Sequence, residues 1–116
     1  MRILRLLRLT TCAALLCAGG LRPQTPADLV HKDAPAFVRE DLSGRRIDLK
    51  TYRGKVVLLN FWATWCASCQ VELPQFVEWQ KKYGAQGLQI LAISMDDGPE
   101  LVRRTAGRLH LDFPVL

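Results

Sequence analysis

Histidine is scarce in this 116-residue sequence: His31 and His110 are the only two. A Cys-x-x-Cys pair supplies half of a tetrahedral zinc set, and two histidines far apart in no ligand spacing do not complete it, so no metal is expected. No cofactor is expected either. Long hydrophobic runs are missing as well, since the apolar stretch Leu9 to Ala18 is shorter than the roughly 20 residues that span a bilayer. Beyond the first residues there is no cluster of Lys and Arg with interleaved aromatics, which argues against a nucleic-acid partner. Cysteine is limited to four positions, and Cys12 and Cys17 fall in the N-terminal leader, so Cys66 and Cys69 are left with only each other to bond.

What is present begins with that leader. Arg2, Arg5 and Arg8 precede the short apolar run with no acid among them, and the run ends in Ala18-Gly19-Gly20. This is the plan of a secretory signal peptide, with an uncleaved membrane tether as the alternative. Neither Cys12 nor Cys17 follows the small-residue box of a lipidation site. Taking the three arginines away from 16 basic side chains leaves 13 against 11 acidic ones, a net charge of +2, so the basic balance is mostly a targeting signal. Residues 21–34, with Pro23 and Pro26 and no hydrophobic period, read as a linker in which His31 is solvated. Residues 35–116 then form one small domain, with 49% apolar and 23% charged residues over the whole chain, as in ordinary globular proteins.

The organising stretch is Lys55 to Tyr83. Val56-Val57-Leu58-Leu59-Asn60-Phe61-Trp62 is too continuously apolar for a strand with one face in water and predicts a buried central strand. It runs into Trp65-Cys66-Ala67-Ser68-Cys69, after which Leu73, Phe76, Val77 and Tyr83 recur at helical offsets among Glu72, Glu78, Lys81 and Lys82, with Gly84 at the position of a C-terminal cap. Cys66 therefore falls at a helix N-terminus, where unpaired N–H groups and the dipole favour a thiolate. Such surroundings lower a cysteine pKa from about 8.5 towards roughly 3.5–7.5. Cys66, nearer the helix start and the more exposed sulfur, is the expected nucleophile, and Cys69, one turn inside, the resolving thiol.

Around this core, Phe37-Val38-Arg39 and Ile47-Asp48-Leu49 predict a hairpin about the turn Asp41-Leu42-Ser43-Gly44, with Arg45 and Arg46 as exposed charges. Leu88 to Met95 is a second strand, so strand, helix and strand make a right-handed βαβ unit with a parallel sheet. Asp96-Asp97-Gly98-Pro99-Glu100 reads as the cap and first turn of a second helix rather than a metal pair. Leu101, Val102, Thr105, Ala106 and Leu109 form its buried face, with Arg103, Arg104 and Arg108 on a solvated face and His110 near its last carbonyls. Phe113-Pro114-Val115-Leu116 starts a further strand.

The segment Asn60-Phe61-Trp62-Ala63-Thr64-Trp65-Cys66-Ala67-Ser68-Cys69, followed by Glu72-Leu73-Pro74, resembles the active site of the TlpA/ResA-like thiol-disulfide oxidoreductases of the thioredoxin superfamily, a redoxin family of the bacterial cell envelope. The resemblance runs from about Ala34 to Leu116. It implies an α/β thioredoxin-like fold, incomplete here: an N-terminal hairpin plus a βαβαβ portion, with the cis-proline loop, closing strands and closing helix not found before Leu116. Pro114 is not expected to be that cis-proline. The resemblance further implies a periplasmic or envelope protein that exchanges its dithiol with protein disulfides, including the haem-binding cysteines of apocytochromes c, and draws on a membrane or envelope electron donor. It makes Trp65 a substrate-docking platform, Trp62 and Pro74 structural at the site, and Glu72 a carboxylate close to the dithiol that carries the proton of the buried thiol. Ala67-Ser68 departs from the proline or charge that many members hold between the cysteines. A peroxiredoxin-like peroxidase is the weaker enzyme reading, because Ala63-Thr64-Trp65-Cys66 lacks the Pro and Thr placed ahead of a peroxidatic cysteine. An inactive fragment is the remaining alternative.

Overall fold

The computed structural model describes residues 30–116, so the expected leader (1–20) and residues 21–29 of the expected linker lie outside the described residues. Pro35–Leu116 groups as one unit. It opens with β1 (Val38–Glu40) and β2 (Arg46–Asp48), paired antiparallel with Val38 opposite Asp48 and Glu40 opposite Arg46. Their connection is organised by one buried carboxylate. Asp41 Oδ1 accepts from Ser43 N (2.9 Å), Ser43 Oγ (2.6 Å) and Arg45 N (3.0 Å), while Oδ2 takes Arg45 Nε at 2.8 Å and Nη2 at 2.8 Å. Arg45 is exposed as expected, yet it is also the clamp on the turn. Burial works to raise the Asp41 pKa, but the bonds from Ser43 and Arg45 outweigh it and hold the carboxyl at about 2, below the ordinary 3.8.

A 3₁₀ turn, Leu49–Tyr52, leads to β3 (Val56–Trp62), then α1 (Ala67–Tyr83), β4 (Leu88–Ser94) and α2 (Pro99–Arg108). β3 and β4 pair in parallel, from Val56 with Leu88 to Trp62 with Ser94, which is the expected βαβ unit. α1 ends at Gly84, but that residue is right-handed (φ −57°) and leads into a further short 3₁₀ turn. The left-handed glycine of this connection is Gly87 (φ 101°), which turns the chain into β4 and whose carbonyl accepts from Val56 N at 2.9 Å.

The segment after α2 continues the sheet on the other side of β4. Val115 bridges Ala92 in parallel, with Ala92 N donating to Pro114 O (3.0 Å) and Leu116 N to Ala92 O (2.8 Å). No peptide bond among the described residues is cis. Since β3, β4 and the Val115 segment step across the sheet in one direction, right-handed crossovers put α1 and α2 on the same face. The core agrees: Leu73 and Val77 of α1 and Val102 and Ala106 of α2 cluster with Trp62, Ile90, Ala92, Phe113 and Val115.

One-sided cover corrects the reading of β3 as a buried central strand. β4 is the middle strand, whereas β3 is paired on one edge only among the described residues, and on the face opposite Trp62 its Phe61 is exposed (61%) while Val57 and Leu59 are half-buried. Its apolar run is suited to burial on both faces, and the helices here cover one. Leu101 likewise is exposed rather than on the buried face of α2, because the stripe that meets the sheet is Val102, Thr105 and Ala106.

α2 ends in a two-bond cap in which Leu111 N donates to Ala106 O (3.0 Å) and His110 N to Gly107 O (3.2 Å). His110 thus satisfies one of the last carbonyls with its backbone N–H, and it does so at φ 51°, a region that favours glycine. His110→Gly is expected to raise stability in urea unfolding by about 1 kcal/mol, since a side chain in the left-handed region costs on the order of 1–2 kcal/mol and glycine repays part of that in chain entropy. Asp41 gives a pH signature: its depressed pKa contributes stability that is full above 3.8 and disappears as the pH falls towards about 2. Asp41→Asn is expected to flatten that part of the acid-unfolding profile followed by circular dichroism.

Candidate active site

β3 delivers the chain at Trp62 into a tight connection, Ala63 to Cys66, closed by Cys66 N donating to Ala63 O at 3.1 Å. Cys66 is the N-cap of α1: its backbone is extended (φ −91°, ψ 98°) and its sulfur accepts from Cys69 N at 3.3 Å. The sulfur occupies the place that a serine or aspartate oxygen takes in ordinary caps. Cys66 and Cys69 are joined by a disulfide. Ser68 Oγ lies 3.5 Å from Cys66 Sγ. Both cysteines are half-buried, and Cys69 packs against the core cluster while Cys66 does not.

The disulfide lines an apolar groove of about 120 Å³ together with Phe61, Trp62, Ala63, Trp65 and Met95. Trp62 is fully buried beneath it, at 1% exposure, and Trp65 stands 77% exposed beside the nucleophile. Pro74 lies inside α1 on its exposed side, a turn beyond Cys69, where it removes one helical hydrogen bond. Glu72 is also exposed and is not part of the groove wall, so the structure does not bring it into the partly buried setting expected of it.

A second group of residues braces the connection from below, and sequence reasoning missed it. Asp96, just past β4, accepts from Thr64 N at 2.9 Å through Oδ2 and from Thr64 Oγ1 at 2.5 Å through Oδ1. Ser94 Oγ donates to the same carboxylate at 2.8 Å. On the other side of the connection, Gln70 Nε2 donates to Thr64 O at 2.6 Å, and Gln70 Oε1 accepts from Arg108 Nη2 at 2.7 Å. Thr64, two residues from the nucleophile, is therefore held at its N–H, hydroxyl and carbonyl. This corrects two expectations: Asp96 braces the site instead of capping α2, whose N-cap is Gly98, and Arg108 is not merely solvated. Burial opposes ionisation of Asp96, but the bonds from Thr64 and Ser94 hold its carboxyl below the ordinary value.

The signal for this brace lay in the strand register. Trp62 is level with Ser94 in a parallel pair, so the residues two beyond each strand end, Thr64 and Asp96, arrive side by side. Asp96→Ala is expected to lower the free energy of unfolding in urea by about 1–2 kcal/mol, the cost of leaving partly buried donors without their charged acceptor. It should also speed amide exchange at Thr64 relative to the β3–β4 ladder.

The sequence pattern of the AhpC/TSA family matches residues 30–116. A thiol-disulfide oxidoreductase ResA of Geobacillus thermodenitrificans is 38% identical over 116 residues, covering 100% of this chain and 67% of its own length. The ResA of Bacillus cereus is 42% identical over 86 residues, 74% of this chain and 50% of its own. The chain thus spans half to two thirds of the length of these relatives. Among solved structures, a thioredoxin family thiol:disulfide interchange protein of Chlorobium tepidum superposes with a TM-score of 0.68 at 28% identity, over 72% of this chain and 57% of that one. The thioredoxin domain of a thiol-disulfide oxidoreductase of Bacteroides vulgatus gives 0.67 at 26% identity, over 72% and 59%. A thioredoxin-like α/β core, a cysteine pair at the start of its first helix and a family match over all the described residues lead to one assignment: this chain belongs to the AhpC/TSA family, among its ResA-like members.

Proposed function

We propose that the protein is a thiol-disulfide oxidoreductase that exchanges its Cys66–Cys69 pair with disulfides of other proteins outside the cytoplasm. The observation that carries this is the position of Cys66, whose sulfur caps α1, is bonded to Cys69, and opens onto an apolar groove. Reduced, Cys66 is the thiolate that attacks a substrate sulfur: the new Cys66–substrate bond forms as the substrate disulfide breaks and its other sulfur leaves. Cys69, packed against the core, then attacks Cys66, which releases the reduced substrate and regenerates the internal disulfide. Trp65 and its apolar neighbours offer the incoming chain a dry contact surface. Glu72 takes no part in this scheme, since an exposed carboxylate offers the leaving proton little that water does not.

Export follows from the arginine-flanked apolar leader, as a cleaved signal peptide or a tether to the membrane. In an oxidising compartment the pair needs an electron source, so a membrane or envelope dithiol is the proposed donor, and apocytochromes c, with paired haem-binding cysteines, are proposed substrates.

Insulin reduction with dithiothreitol as donor tests the reading. The full chain is expected to accelerate it, Cys66→Ser to abolish the acceleration, and Cys69→Ser to accumulate a mixed disulfide visible on a non-reducing gel. Consumption of hydrogen peroxide without insulin reduction would overturn this in favour of a peroxidase.

A further inference from the structure

The residues between the cysteines contact the reacting sulfur through one side chain. Ser68 Oγ is 3.5 Å from Cys66 Sγ, and with Cys66 in a disulfide the sulfur carries no hydrogen, so the hydroxyl is the donor. That distance is ordinary for a bond to sulfur, an atom larger than oxygen. Cys69 N–H is the other donor on the same sulfur, at 3.3 Å. Ser68 is exposed and stands in the first turn of α1, where its hydroxyl has no other bond among the described residues. The walls of the groove at Cys66 are uncharged. The charged groups of the site are Asp96, engaged with Thr64 and Ser94, Arg108, engaged with Gln70, and Glu72, exposed on α1; none bonds the sulfur.

We infer that Ser68 is a catalytic residue of the dithiol, its hydroxyl donating a hydrogen bond to the Cys66 thiolate and so making the pair a stronger oxidant. This deepens the oxidoreductase reading and rests on it. A disulfide sulfur is a weak acceptor and a thiolate a strong one, so the same hydroxyl favours the reduced state more than the oxidised. A site whose reduced form is favoured has the higher potential. When dithiothreitol reduces the pair, it gives two electrons and two protons and closes to its cyclic disulfide. The Cys66–Cys69 bond breaks, one proton stays on Cys69, the other goes to solvent, and Cys66 is left as the thiolate that Ser68 holds. An alanine or proline at residue 68 provides no such donor.

The full chain and its Ser68→Ala and Ser68→Thr variants separate this from a solvated serine. The pH dependence of Cys66 alkylation in the reduced protein gives the thiol pKa, and equilibration with dithiothreitol at pH 7 gives the potential. Ser68→Ala is expected to raise the pKa by about 0.5–1 unit and shift the equilibrium threefold to tenfold towards the disulfide, about 15–30 mV at ~30 mV per tenfold. Ser68→Thr, which keeps the hydroxyl, restores both. A Ser68→Ala pKa and equilibrium within 1.5-fold of the parent, or a threonine variant that behaves like alanine, overturns the assignment. Both readouts are independent of protein substrates: failure to reduce insulin alongside the expected shifts rejects the oxidoreductase reading and upholds the Ser68 bond.

Discussion

The site depends on two parallel strands ending level with each other. Because Trp62 and Ser94 stand opposite across the β3–β4 ladder, the chain leaves the sheet twice at one height, and the Asp96 carboxylate can hold the Thr64 backbone and hydroxyl together. Everything nearer the sulfur inherits that anchor. Thr64 fixes where the connection turns, the turn fixes Cys66 as the first residue outside α1, and that position directs the amide of Cys69 at the sulfur. A carboxylate bonded by three donors is a stiff post in a small fold. Its cost is an ionised group set partly among protein atoms, which those donors offset.

Much of this was legible in the chain itself. Continuous apolar runs mark β3 and β4 and period-3.6 patterns mark α1 and α2, each within a residue or two, and the Trp-Cys-x-x-Cys segment locates the chemistry. The failures share a cause. The local sequence around Asp96 and Arg108 suggests a cap and a solvated charge, and such local readings do not see partners brought near by folding. Arg108 meets Gln70 across 38 residues, and Thr64 meets Asp96 across 32. The burial of β3 failed differently: composition gives a strand's appetite for apolar cover, whereas the direction of successive crossovers decides which face receives it.

The hairpin shows the same logic on a smaller scale. In sequence Asp41 is one of several turn-formers, yet its carboxylate gathers a hydroxyl, two amides and a guanidinium, and the adjoining Leu42 N–H reaches Val115 O at 2.9 Å. A local turn is thereby stitched to the far end of the described chain, beside β4. The hairpin is an integral part of the fold.

The cysteine ring encloses a single helical turn. Cross-links draw most of their conformational leverage from long loops, and this one constrains almost none of the unfolded chain. Electron affinity is then a local property of a few dipoles around one sulfur, free to drift by single substitutions while the architecture stays the same.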